Sequence, residues 1–310
     1  MRSPPGPLCA AAARAALVAA PRTIARPAGP APLVALALLS AGCGAVIPLA
    51  APSPPGRGPS AGCAAATVPT GVSRGRTVVG GVERTYVLSV PAASTATAPT
   101  PLPLVFGFHG NRWTAEAFRS ADGPEKASRG AAIFVYPDGL DSPIGGSGWD
   151  LDLDSRDLAL FDQLLAELSA GACVDQDAIF AFGRSYGAYF VNTLACARAP
   201  YLRAVAATMG GGPFDDRCTG PISAWLSHAA DDPLVSVDNG RESRDAYVAR
   251  NGCAADAPEP ASPSPCVAYR GCAAGTRVEW CEAPSGGHNP PPYFGPASWD
   301  FFVRSATTAR

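Results

Sequence analysis

Three serines in this chain stand in a Gly-x-Ser-x-Gly setting, Ser60, Ser73 and Ser185, and only three histidines are present, His109, His228 and His288. A serine hydroxyl attacks a carbonyl efficiently only when a neighbouring base takes its proton and an acid orients that base. These residues therefore bound the acyl-transfer chemistry the chain could perform. The flanking glycines matter because such a serine sits on a strained turn between a buried strand and a helix. With 33 glycines in the chain the pattern arises easily by chance, so its surroundings decide. Ser60 follows Pro59 in a stretch too biased in composition to bury a core, and Ser73 lies between Pro69 and an Arg-rich segment with no helix after it. Ser185 follows the apolar run AIFAF at 178–182 and precedes the helical run YFVNTLACA at 189–197. It is the predicted nucleophile, with Gly183 and Gly187 as the turn glycines.

The base is chosen by position. His109 ends the run LVFGF, His228 ends ISAWLS, and His288 follows the last strand-like run in Gly286-Gly287-His288. Reactive groups of a wound α/β sheet gather beyond the carboxyl ends of strands, a condition all three meet. The chain order serine, acid, histidine that accompanies this kind of turn selects His288 as base. Asp231 and Asp232 then lie where either could orient it. A rival set pairs His228 with Asp215 or Asp216, but those two read as loop residues after Gly-Gly-Gly-Pro. His228 is read as a buried brace. An oxyanion needs two backbone N–H donors, one after the serine and one on the loop after an early strand. Tyr186 and Asn111 supply them, with His109 and Gly110 supporting the loop. No metal or organic cofactor is required.

The elements that must hold these residues follow from hydrophobic pattern. Strands are predicted at 85–90, 102–108, 131–136, 178–182, 203–208, 222–227 and 277–282, and helices at 156–170, 186–198, 241–251 and 298–306. Within 156–170, Leu158, Phe161, Leu164, Leu165 and Leu168 recur at helical spacing. Fully apolar strands alternating with helices indicate a doubly wound, mostly parallel sheet with helices on both faces, built as one α/β domain. The Pro-rich stretch 257–265 is a loop within it.

Charge divides the chain. The first acidic residue is Glu83, so residues 1–82 carry seven arginines and no acid, while residues 83–310 hold all 26 acids against 17 bases. A basic nucleic-acid footprint is absent from the part that can fold. The expected division is an export signal and Ala/Pro/Gly-rich leader at 1–60 and a catalytic domain at 61–310. Residues 33–42, LVALALLSAG, lie behind an Arg-bearing stretch and before Cys43, the layout of an export signal. Ser40-Ala41-Gly42-Cys43 makes Cys43 a candidate lipidation site and the N-terminus a candidate membrane tether. Eight further cysteines, an even set in an exported chain, read as disulfides. No CxxC pair occurs among them, which argues against zinc.

Taken together, these blocks resemble the secreted feruloyl esterases and polyhydroxybutyrate depolymerase-like esterases of carbohydrate esterase family 1, over residues 61–308. VVGGVERTYVLSVP (78–91) is similar to the family's opening segment, LVFGFHG (104–110) to its oxyanion strand, and IFVYPDGL (133–140) with GWD (148–150) to the next strand and loop. CVDQDAIFAFGRSYGAYFVNTLAC (173–196) resembles the elbow block, and RNGC (250–253), YRGC (269–272) and GGHNP (286–290) the closing blocks. HAADDPLV (228–235) resembles the acid loop, with Ala229 in place of the usual glycine. The resemblance implies an α/β-hydrolase fold, places the acid on Asp232 and the base on His288, and implies a carboxylic ester substrate. That substrate is an acylated plant polysaccharide, or a polyhydroxyalkanoate polyester as the alternative; a surface lipoprotein that only binds is the alternative of another class. Cys266 and Cys281 are not part of the family pattern, which implies that they bond each other; Cys63, Cys173, Cys196, Cys218, Cys253 and Cys272 remain as the common six, with Cys253–Cys272 a candidate pair whose choice nothing in the sequence forces. Trp113 and Trp149 are candidates for a substrate pocket, with Tyr136, Tyr186, Tyr293 and Phe294 as further aromatic candidates, and core packing is the commoner role for each of them.

Overall fold

The apolar runs become strands buried on both faces, as residues without polar side chains must when helices cover a sheet from each side. The computed structural model describes residues 56–307 apart from 65–66, 93–99, 122, 214, 216 and 274. Cys43 and the apolar run before it lie outside the described residues, as does Asp216. The strands are β1 (Gly71–Val79), β2 (Val82–Val90), β3 (Leu102–Phe108), β4 (Ile133–Pro137), β5 (Leu140–Asp141), β6 (Ser147–Gly148), β7 (Val174–Arg184), β8 (Ala204–Thr208), β9 (Ser223–Ala229), β10 (Glu259–Pro260), β11 (Cys266–Tyr269) and β12 (Val278–Ala283). The α-helices are α1 (Ala115–Ser120), α2 (Pro124–Ser128), α3 (Arg156–Gly171), α4 (Tyr186–Ala197), α5 (Val237–Arg250) and α6 (Phe294–Ala306).

One large sheet runs in the order β1-β2-β4-β3-β7-β8-β9-β12-β11-β10, and β5 pairs with β6 apart from it. The six strands from β4 to β12 are parallel. Antiparallel strands finish both edges. Alternate strand residues build two cores. Leu104, Phe106, Ile179, Val205 and Leu226 pack with α3, α4 and α5 on one face. Val105, Phe134, Phe180, Phe182 and Trp225 pack with α1 and α6 on the other. The strand predicted at 85–90 is the buried half of β2, whereas β1 and the short strands β5, β6, β10 and β11 lie beyond the seven predicted strands. Their residues are more exposed and polar, so the apolar signal that marks the central strands is missing.

The folded unit begins earlier than composition suggested. Gly58 N–H donates to Asp177, and Ser60 bridges Ala172 O and Val174 N–H at 2.8 and 3.0 Å. Ser60 is thus a buried structural serine, and Ser73 lies within the exposed hairpin strand β1. Four disulfides join Cys63 to Cys173, Cys196 to Cys218, Cys253 to Cys272 and Cys266 to Cys281. Such a set is consistent with an oxidising compartment. Cys266 and Cys281 stand opposite each other on β11 and β12, both buried, so their bond ties the sheet edge to the strand that leads to His288. Replacing both by alanine is expected to lower the unfolding free energy by about 3 kcal/mol, the constraint a short loop of this kind provides. Chemical denaturation measures it; a change near zero contradicts the stated role of the bond.

Candidate active site

Four strands of the parallel sheet, β3, β7, β9 and β12, end in the loops that carry the candidate residues. β7 ends at Arg184, and Ser185, the residue just before α4, has φ 55° and ψ −124°, a backbone conformation strained for a residue with a side chain. The turn is possible because its glycines admit other main chain. A Cβ on Gly187 would strike the carbonyl oxygens of Phe108 and His109, and one on Gly183 would strike the Gly187 carbonyl. Gly187→Ala is therefore expected to push α4 off the end of β3, lowering stability by about 3 kcal/mol. Thermal unfolding with an activity assay checks this; a variant of native stability and activity would contradict the close approach.

The sequence-predicted residues converge on that serine. His288 Nε2 lies 2.9 Å from Ser185 Oγ, and its Nδ1 lies 2.7 Å from Asp232 Oδ2. The two adjacent aspartates divide the work. Asp232, its side chain fully buried, holds the imidazole, while Asp231 Oδ1 accepts the N–H groups of Gly286 and Gly287 at 2.8 Å each and so holds the loop that carries it. Asp215 is engaged by Arg217, and the His228 Nε2 faces Val235 O at 2.9 Å. The rival set built on His228 therefore has no support from the described residues.

Burial of the Asp232 carboxyl acts to raise its pKa, but the Val235 N–H, the His288 ring and the Leu234 N–H outweigh it and hold the group below the usual carboxylate range. A folded-state value below the unfolded one stabilises the fold above the unfolded pKa and loses that contribution as pH falls through the folded one. The stability advantage of the wild type over Asp232→Asn should thus be constant above about pH 5 and shrink below about pH 4. A pH series of denaturant melts reads it, and a gap independent of pH would contradict the assignment.

Beside the serine, the loop after β3 is fixed from beneath. His109 is fully buried, and burial lowers its pKa, leaving the ring neutral. Its Nε2 accepts the Gly139 N–H at 2.9 Å, which puts the proton on Nδ1, 2.8 Å from Gly110 O. Trp149 Nε1 donates to His109 O at 2.8 Å, and Arg112 N–H to Ser147 O. A Cβ built on Gly110 would lie 3.4 Å from Ser185 Cβ, so this backbone crosses the nucleophile closely. Among the described residues no acceptor takes the Asn111 N–H. Tyr186 is the first residue of α4, where N–H groups have no acceptor within the helix and the helix dipole favours negative charge.

The aromatic expectations divide. Trp149 is fully buried among Phe108, His109 and Phe190, so it braces the loop after β3 and does not line a pocket. Tyr136 and Phe294 are likewise core residues. Trp113 is partly exposed, and the Arg184 guanidinium lies 4.9 Å from its ring centroid. Arg184 also donates to His288 O at 3.0 Å, joining the His288 loop to the loop after β3 across the serine. Sequence reasoning missed this role, although Arg184 is the variable residue of the Gly-x-Ser pattern. A cavity of about 430 Å³, lined by Pro265, Pro284, Pro290, Pro291 and Tyr293 among others, adjoins the His288 loop. Of the aromatic candidates, Tyr293 alone is among its lining residues.

No protein-family model matches the chain. It is 30% identical over 276 residues to feruloyl esterase D of Neurospora crassa, spanning 79% of this chain and 90% of that one. It is 32% identical over 242 residues to feruloyl esterase C of Emericella nidulans, spanning 71% and 84%. An acetyl xylan esterase from Aspergillus awamori superposes with a TM-score of 0.58 at 16% identity, over 74% of this chain and 99% of that one, and shares the fold. Sheet, serine turn and relatives together define a carboxylic ester hydrolase of the α/β-hydrolase fold. The chain belongs to the feruloyl esterase family.

Proposed function

We propose that this enzyme cleaves feruloyl and related acyl esters of plant polysaccharide through an acyl-enzyme on Ser185, working outside the cytosol. The observation that carries the reading is the continuous contact from Ser185 Oγ through His288 to the buried Asp232 carboxylate. His288 Nε2 takes the serine proton as Oγ attacks the ester carbonyl, and Asp232 stabilises the resulting imidazolium. The oxyanion accepts the N–H groups of Tyr186 and Asn111. His288 returns its proton to the leaving alcohol as the ester C–O bond breaks. It next takes a proton from water, whose oxygen attacks the acyl carbon, and the serine leaves with that proton restored. The names of the relatives support a feruloyl substrate. The four disulfides and the apolar run before Cys43 support export.

Methyl ferulate, 3-hydroxybutyrate oligomers and p-nitrophenyl acetate, assayed side by side, test the reading. Hydrolysis of methyl ferulate in preference to the oligomers is expected, and Ser185→Ala should lower kcat by about three orders of magnitude or more. The reverse preference favours a polyester depolymerase. An absence of turnover on all three favours a protein that only binds.

A further inference from the structure

His228 lies at the end of β9, four residues before the aspartate that orients His288, and the proposed mechanism leaves it no proton to move. Its side chain and that of Asp232 are both fully buried, so water does not compete for either. Two oxygens face its Nε2: Val235 O at 2.9 Å and Asp232 Oδ2 at 3.2 Å. A lone pair there would confront both, so the proton sits on Nε2. The hydrogen bond is directed at Val235 O, with the N–H standing beside Oδ2.

The other nitrogen carries the argument further. Nδ1 is buried without a hydrogen-bond partner, pressed by α5 so closely that a Cβ on Gly240 would lie 2.6 Å from it. A second proton on the ring would be a buried donor with no acceptor, so His228 remains neutral. Burial lowers its pKa in the same direction. An unpartnered buried nitrogen is destabilising, and an aliphatic side chain filling this space would avoid it. The ring is therefore not explained by packing alone.

What it holds is the acid loop. Val235 is gripped twice: its carbonyl accepts from His228, and its N–H donates to Asp232 Oδ1 at 3.0 Å, beside the Leu234 N–H at 2.9 Å. We propose that His228 is a positioning residue for the triad acid: its Nε2–H fixes the Val235 turn and flanks Asp232 Oδ2, so that this oxygen alone is presented to His288. The proposal rests on the Ser185–His288–Asp232 reading above.

His228→Gln keeps an N–H donor at the place of Nε2, whereas His228→Leu fills the space without one. Both variants of the full chain are assayed on methyl ferulate, with active sites counted by a fluorophosphonate probe allowed to react to completion and mapped to Ser185. Expected is a kcat per labelled site about 10- to 100-fold lower in His228→Leu, the loss of one buried hydrogen bond that leaves its acceptor unsatisfied, with KM within about twofold. His228→Gln should stay within about threefold of wild type. A leucine variant with wild-type kcat per labelled site, or a glutamine variant as impaired as leucine, overturns the proposal. Should the leucine variant fail to fold, nitrogen-15 NMR of the wild-type imidazoles decides. A protonated Nε2 and bare Nδ1 on His228 are expected, and a bare Nε2 overturns it. Wild-type enzyme that takes no label at Ser185 overturns the triad itself, and is distinguishable from either result.

Discussion

Two main chains pass so closely at Ser185 that no side chain fits between them, and the rest of the site depends on that contact. Gly187 lies against the carbonyls of Phe108 and His109, and Gly183 against the carbonyl of Gly187. The approach brings the end of β3 to the start of α4. The serine hydroxyl, the free N–H of the first helical turn and the loop after His109 thereby come together in one small volume. The strain of the left-handed Ser185 backbone is sustained by the packing around it, since strand and helix on either side are buried.

Around that contact, the groups that act are few and those that hold them are many. Asp231 fixes the Gly286–Gly287 backbone, Arg184 fixes the His288 carbonyl, and Trp149 with His109 fixes the loop opposite. Each directs its hydrogen bonds at main chain; Asp231 does so from the surface, while Arg184 is half-buried and Trp149 and His109 are fully buried. Such a shell holds the imidazole and the backbone donors in place before substrate arrives, which is where electrostatic stabilisation of a developing oxyanion gains its strength. The buried pair of Arg84 and Asp157, 2.7 Å apart, extends the same support, because Arg84 also donates to Asp138 O one residue before Gly139.

Much of this was legible in the chain. The strand predicted at 102–108 is found at those residues, and the helices predicted at 156–170 and 186–198 differ from α3 and α4 by one residue at one end. Continuous apolar runs and helical spacing report burial directly, so the central sheet reads well. Ser185 was separable from Ser60 and Ser73 because it alone of the three stands between a buried strand and a helix. What failed had a physical reason. Composition could not reveal that Ser60 is held by β7, since the partner lies more than a hundred residues away. The choice between pocket and core at Trp149 stayed open because a tryptophan serves equally as lining or as brace, and only its indole hydrogen bond to His109 O tells which. Asp231 and Asp232 are alike in sequence context, and their separate tasks depend on which way each side chain turns.

The central claim is that ester cleavage passes through Ser185 with His288 and Asp232 in line behind it. Rapid quenching of the enzyme with methyl ferulate, followed by intact mass measurement and peptide mapping, tests it most directly. The account predicts a feruloyl adduct on the peptide carrying Ser185, formed and lost at rates compatible with turnover. Turnover with the adduct on any other residue, or with Ser185→Ala as active as the wild type, would contradict it.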